Sequence, residues 1–285
     1  MNPVPDPAAP ASVPDLVGAW AEAMADVRSV VGELGDDGWR HPSLLPGWSV
    51  GDVVAHLSWI ERILLGRTDP PHQPDWASLP HATGDLGRVT EVPVDLRRGW
   101  SRAEVLAEFD ESIADRHAAL LAGPDDPTTP AMNPFGRMAS LETVLRMRTF
   151  DTWVHSQDIR LAVGRPGATT TTAARVAAEQ IASALGFVWA RKVDAPVGST
   201  LVVDVAPPGI TLQRAVTRTT EGKGVAIPIP ENPTVTLRLA FDDFVQLGCG
   251  RTRPERSPEQ ARAAVVVAGD TDLGARAVAA LNIAP

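Results

Sequence analysis

Asp151 and His155 stand four residues apart in the stretch Arg146-Met147-Arg148-Thr149-Phe150-Asp151-Thr152-Trp153-Val154-His155-Ser156-Gln157-Asp158. In a helix that interval is just over one turn, so the carboxylate and the imidazole share a face, with Cβ atoms roughly 6 Å apart. Side chains placed this way can grip one metal ion between them, and the same spacing supplies paired ligands in helical zinc and di-iron sites. Asp158 continues the row three residues on. It is placed either to accept a hydrogen bond from His155 and orient the ring, or to sit as a solvated charge. Two ligands are too few, so a third must come from another element. His56 is the best candidate, because a histidine in the middle of a mostly apolar helical stretch requires a polar partner. Asp52, one turn earlier, is the competing partner and would make His56 an ordinary core histidine. His117 ranks next, while His41, His72 and His81 fall in irregular connections and are expected in solvent. Two imidazoles and one carboxylate leave a position open on the ion, as catalytic sites do and sealed structural sites do not. That donor set suits zinc first and non-haem iron second.

The elements that must bring these side chains together read as helices. Leu16, Trp20, Met24, Val27, Val31 and Leu34 recur at threes and fours, predicting a first helix over 15–34, stopped by Asp36-Asp37-Gly38. A Pro46-Gly47 turn precedes Ser49, and Ser49 with Asp52 forms a near capping box for a second helix over 50–66 that bears His56. Residues 68–99 read as a long, proline-rich, irregular connection of the kind that often serves as a lid. Ser101 and Glu104 cap a third helix, striped by Val105, Leu106, Phe109, Ile113 and Leu120 and ended by Gly123-Pro124. After a proline-rich loop at 125–137, Ser140 opens the fourth helix, with Leu141, Val144, Leu145, Arg148 and Thr152 along one broad side. Trp48 and Trp153 are expected to wall the core. Four helices of this kind predict an up-and-down bundle, closed by Gly164-Arg165-Pro166-Gly167.

Beyond that point the pattern changes. A helix over 169–191 leads into strands at 200–205, 212–219, 225–229, 234–239 and 263–267, with helices at 241–247 and 271–281. The expected fold class is therefore α+β, a four-helix bundle over 12–164 followed by a small α+β domain over 168–285.

Composition narrows the partners. The chain has 285 residues, comfortable for two domains, and 44% hydrophobic residues, enough for two cores. A formal charge of −9 with no basic run argues against a nucleic-acid partner, because phosphate neutralisation needs clustered Lys and Arg. No apolar run approaches the ~20 residues that cross a bilayer, so no membrane partner is expected. Residues 1–14, rich in Pro, Ala and Asp, lack the basic start and apolar core of a signal peptide, and the first dozen residues are expected to form a loose tail. The single cysteine, Cys249, cannot make an internal disulfide, which points to a cytoplasmic location. It reads as a small buried apolar residue.

The segment Leu45-Pro46-Gly47-Trp48-Ser49-Val50-Gly51-Asp52-Val53-Val54-Ala55-His56-Leu57, followed in the fourth helix by Asp151-Thr152-Trp153-Val154-His155, resembles the mycothiol-dependent maleylpyruvate isomerase family, within the wider DinB-like metalloprotein group. Phe241 to Arg251, Val266-Val267-Ala268-Gly269-Asp270 and the terminal Leu281-Asn282-Ile283-Ala284-Pro285 look like the family's C-terminal domain, which is similar to sterol-carrier folds. The resemblance places the family's His, Glu and His ligands on His56, Asp151 and His155. Asp151 departs from the usual glutamate and is one methylene shorter, so the ion sits closer to its helix or is held less well. The resemblance further implies a divalent metal, zinc by preference, and mycothiol as a thiol cosubstrate that binds the metal as a thiolate. The sulfur would add to a small electrophile, then leave after a double bond has rotated or stay attached as an S-transfer product. Arg251, after a glycine turn, is expected to meet a substrate carboxylate with its planar fork, the alternative being a solvated arginine. A monomer or a homodimer is expected. Two other classes stay open: a non-enzymatic metal or small-molecule binding or regulatory protein, and a thiol-independent hydrolase using metal-bound water.

Overall fold

A computed structural model describes residues 12–283; the expected tail lies, through residue 11, outside the described residues. The chain divides into two compact units, the first ending at Ile159 and the second beginning at Arg160.

The first unit is helical. Helix α1 (Val13–Gly32) starts earlier than its apolar stripe, because the Ser12 hydroxyl accepts from the Asp15 amide at 3.2 Å and Pro14 occupies the first turn, where its missing N–H costs nothing. Asp36-Asp37-Gly38 does not merely stop α1 but opens a one-turn helix, α2 (Asp36–Arg40). Helix α3 (Val50–Leu64) is fixed by a reciprocal cap: the Asp52 amide donates to Ser49 Oγ at 3.2 Å, and the Ser49 amide donates to Asp52 Oδ2 at 2.8 Å. Every residue of α3 from Val50 to Glu61 is buried, so this helix runs through the core and His56 lies deep in it. Helix α5 (Arg102–Leu121) repeats the device with Ser101 and Glu104. Ser140 Oγ accepts from the Thr143 amide at 3.2 Å at the start of α6 (Leu141–Ala162).

Two expected loops are structured. Half of the 68–99 connection is helix α4 (Gly84–Arg97), preceded by a 3-10 turn at Trp76–Ser78. Pro93 lies inside α4, and its sequence has little amphipathic signal; polar contacts to the rest of the unit hold it instead. Arg97 is wholly buried, forking onto Glu108 of α5 at 2.6 and 2.8 Å and onto Asp69 at 2.7 and 2.9 Å. The 125–137 loop contains β1 (Pro130–Met132), which pairs antiparallel with β2 (Met138–Ser140). Asn133 Oδ1 closes their turn by accepting from the amides of Phe135 and Arg137.

The second unit opens with α7 (Thr172–Ser183), the short α8 (Leu185–Phe187) and a π-helical turn at Val188–Lys192. Five strands follow: β3 (Thr200–Ala206), β4 (Leu212–Arg218), β5 (Gly224–Ile227), β6 (Val235–Ala240) and β7 (Val266–Gly269). They form one sheet in the order β5-β4-β3-β6-β7, with β3 and β6 parallel and the other pairs antiparallel. Central β3 buries Leu201, Val202, Val203 and Val205, the near-continuous pattern of a strand covered on both faces, whereas β6 alternates buried Val235, Leu237 and Leu239 with exposed Arg238. Helices α9 (Phe241–Gly248), α10 (Pro258–Ala263) and α11 (Thr271–Ala279) complete the unit. The strand expected at 263–267 is displaced: a Ser257–Gln260 capping box draws Ala263 into α10, and only Val266 onward pairs with β6. No helix among the described residues is long and apolar enough to cross a membrane.

Candidate metal centre

Helix α6 presents Asp151 and His155 one turn apart, and α3 presents His56 opposite them. The side chains of His56 and His155 are 6% and 9% exposed, so water does little to screen charge here. His155 Nε2 lies 3.5 Å from Asp151 Oδ1, and His56 Nε2 lies 3.8 Å from Asp151 Oδ2. Both separations exceed ordinary hydrogen-bonding distance. The two rings meet edge to face, 5.0 Å between centroids. One donor atom from each of the three residues lies within 4.8 Å of the others. A four-coordinate ion with bonds of about 2.0–2.2 Å sets neighbouring donors roughly 3.4 Å apart. The three side chains thus converge without bonding one another, at the separations a small cation fills, and their N, N, O chemistry fits a divalent ion.

The surroundings orient the donors. His155 Nδ1 lies 3.0 Å from Asp158 Oδ2, a carboxylate 1% exposed, which holds the ring with Nε2 turned toward Asp151. His56 is not paired with Asp52, since that carboxylate is taken by the Ser49 cap and by Arg98 Nε at 3.2 Å. His56 Nδ1 is instead buried with no hydrogen-bond partner. The Trp48 ring lies 5.1 Å from the His56 ring, and the Trp59 ring lies 6.2 Å from it. Trp153 is buried in the core.

Trp48 Nε1 donates to Glu91 Oε2 at 2.7 Å, and the same buried Glu91 holds His81 Nε2 at 3.0 Å and Arg98 Nη1 at 2.6 Å. His81 is therefore tied down rather than solvated, and so is His72, whose Nε2 lies 2.7 Å from Asp95 Oδ2. Both partners belong to α4, the helix that the sequence pattern did not reveal. Gly47, at φ 78°, is required where it stands: a Cβ there would come 2.2 Å from His81 Nδ1. His41 is exposed, and His117 packs against Trp20 at 6.1 Å, away from the His56 group.

Arg148 touches the centre directly, and its side-chain chemistry is not visible in the sequence pattern. Its Nη1 donates to Asp151 Oδ2 at 2.6 Å and its Nε to Glu61 Oε1 at 2.9 Å. Burial pushes the His56 pKa below its ordinary value, with Asp151 pulling the other way. Burial opposes the charged form of Asp151 as well, but His155 and Arg148 override it and hold the carboxyl well below the usual range. For His155, burial is outweighed by Asp151 and Asp158, which raise the ring to about 9. Without an ion, then, burial disfavours a proton on His56, while the neighbouring charges favour a carboxylate at Asp151 and a proton on His155.

In the second unit, Cys249 forms no disulfide and is 2% exposed. Arg251 Nη1 donates to the Cys249 carbonyl at 3.1 Å.

Residues 20–160 match the family model described as the mycothiol maleylpyruvate isomerase N-terminal domain. Two uncharacterized proteins of Mycobacterium tuberculosis, from strains CDC 1551 / Oshkosh and ATCC 25618 / H37Rv, are each 30% identical over 141 residues, 49% of this chain and 52% of theirs. The chain thus spans about half the length of the curated relatives it matches. The fold is similar to a crystal structure of a histidine-to-alanine mutant of the mycothiol-dependent maleylpyruvate isomerase, with a TM-score of 0.52 and 14% identity, over 85% of this chain and 93% of that one.

Proposed function

We propose, from the match of residues 20–160 to the mycothiol maleylpyruvate isomerase N-terminal domain model, that the chain is a metal-dependent enzyme using a low-molecular-weight thiol, mycothiol, to isomerise a small electrophile or transfer sulfur to it. The observation that carries this reading is the convergence of His56, Asp151 and His155 at ion-binding separations. These three side chains are the proposed ligands, and zinc is the proposed ion. A divalent cation supplies Lewis acidity, which lets a thiol beside it shed its proton near neutral pH, where a free thiol of pKa about 8.5 is mostly protonated.

The chain's own residues do the rest. Asp158 fixes the tautomer and direction of His155. Trp48 and Trp59 wall the His56 side with apolar surface, which excludes water and strengthens charge interactions. Cys249 is buried, so the sulfur nucleophile is imported. In the isomerase reading the sulfur bonds to one alkene carbon, the remaining single bond rotates, and the thiol is returned unchanged. In the transfer reading the carbon–sulfur bond persists, and the neighbouring carbon takes up the proton the thiol gave up, so that the thiol has added across the double bond. Arg251 is proposed as the contact for a substrate carboxylate.

The test is turnover of the zinc-loaded full chain with maleylpyruvate and with simple electrophiles, each with and without mycothiol. Thiol-dependent turnover that falls on His155→Ala supports the proposal, and a raised KM in Arg251→Ala supports the carboxylate contact. Turnover independent of thiol would make the protein a hydrolase using metal-bound water, and metal uptake without any turnover would make it a binding protein.

A further inference from the structure

We propose that Arg148 is a positioning residue for Asp151, and that Glu61 exists to hold Arg148 in that role. This inference rests on the metal reading of the centre and deepens it. An aspartate carboxylate can turn about its last bond and offer either oxygen to an ion. Here one oxygen is committed: Arg148 Nη1 donates to Oδ2 at 2.6 Å, a short charge-assisted bond. The other oxygen, Oδ1, is the one nearest His155 Nε2, at 3.5 Å. Oδ2 in turn lies 3.8 Å from His56 Nε2, so by holding Oδ2 Arg148 fixes the rotation of the carboxylate and keeps one oxygen toward each histidine.

Arg148 is itself immobilised. Its side chain is 3% exposed, and Nε and Nη2 both lie 2.9 Å from Glu61 Oε1. Glu61, 1% exposed on α3, also accepts from Trp20 Nε1 at 3.2 Å and faces Arg116 Nε at 3.6 Å. The brace thus takes a side chain from each of α1, α3, α5 and α6 and ends on the ligand. A guanidinium beside a cation site is electrostatically costly, and Glu61, which also faces Arg116, offsets part of that charge. Lysine cannot substitute, because a point charge cannot serve Glu61 and Asp151 with one planar fork.

The experiment measures zinc affinity by chelator competition, and the visible bands of the cobalt-loaded protein, on full-length wild type, Arg148→Lys, Glu61→Gln and the double variant. Arg148→Lys is expected to weaken zinc binding about 10–100-fold and to shift the cobalt bands, with the helical content of the metal-free protein unchanged. Glu61→Gln is expected to act in the same direction by less, and the double variant to be no weaker than Arg148→Lys alone. Wild-type affinity and unshifted cobalt bands in Arg148→Lys would overturn the inference while leaving the metal reading intact. If Arg148→Lys does not fold, the same result in Glu61→Gln overturns it. A wild type that takes up neither zinc nor cobalt removes the metal reading, and the positioning role with it.

Discussion

At the scale of single residues, a proton and the proposed metal ion would compete for His155. Asp151 and Asp158 favour a proton on it strongly enough to raise its pKa to about 9, and a metal ion must displace that proton to reach the ring nitrogen. The folded pKa lies above the unfolded value of 6.5, so in the metal-free protein this histidine contributes stability that is fully present below about pH 6.5 and is lost as pH rises through about 9. Metal binding has the opposite dependence, since fewer protons compete as pH rises. Titrating zinc into the metal-free chain at pH 7, in buffers of different ionisation enthalpy, should show release of nearly one proton per ion. Apparent affinity should climb with pH and level off above about 9. An affinity flat between pH 6.5 and 9 would show that the ion does not use His155. The Asp151–His155 pair was legible in the sequence because one helix carries both and its period fixes their face. The Arg148–Glu61 contact was not, because the partner lies on another helix and nothing in local spacing announces it.

At the scale of elements, the contrast is between segments that declare themselves locally and segments held by distant partners. The Ser49–Asp52 and Ser101–Glu104 boxes marked the starts of α3 and α5 in the sequence, since both halves of each box lie within four residues. Helix α4 carries an internal proline and a weak apolar stripe, so its sequence reads as loop; what holds it is polar chemistry, buried at Arg97 and Glu91 and half-buried at Asp95. The hairpin of β1 and β2 has three-residue strands, too short for alternation to register. This difference sets the expected cost of breaking each kind of contact. Glu108→Ala removes one of the two carboxylates that hold the Arg97 guanidinium, whose side chain is 0% exposed, leaves Asp69 as its partner, and should cost about 1.5–3 kcal/mol in urea unfolding. Asp110→Ala removes an ion pair to Arg28 whose partners are 42% and 49% exposed, and should cost about 0–1 kcal/mol. Equal losses in the two variants would mean that Arg97 does not anchor α4.

At the scale of the whole molecule, each unit buries its own core, Trp20, Leu57 and Phe109 in the first and Trp189, Leu237 and Phe244 in the second. The proposed ligands all belong to the first. An ion that binds only the folded form stabilises it by mass action, about 2.7 kcal/mol at one hundred times the dissociation constant. Hydrogen exchange on the full chain should therefore show zinc slowing the amides of α3 and α6 while those of β3 and β6 keep their rates. Uniform slowing across both sets would show that the chain opens as one cooperative body.

The placement of Cys249 has a consequence for durability. A protein proposed to work beside an activated small thiol is exposed to disulfide exchange, which proceeds only where a sulfur can be reached. The chain's single sulfhydryl is 2% exposed in the second unit. Oxidised cosubstrate accumulating during stress accordingly finds no accessible partner with which to form a mixed disulfide, and the folded protein is protected from capture by its own reagent.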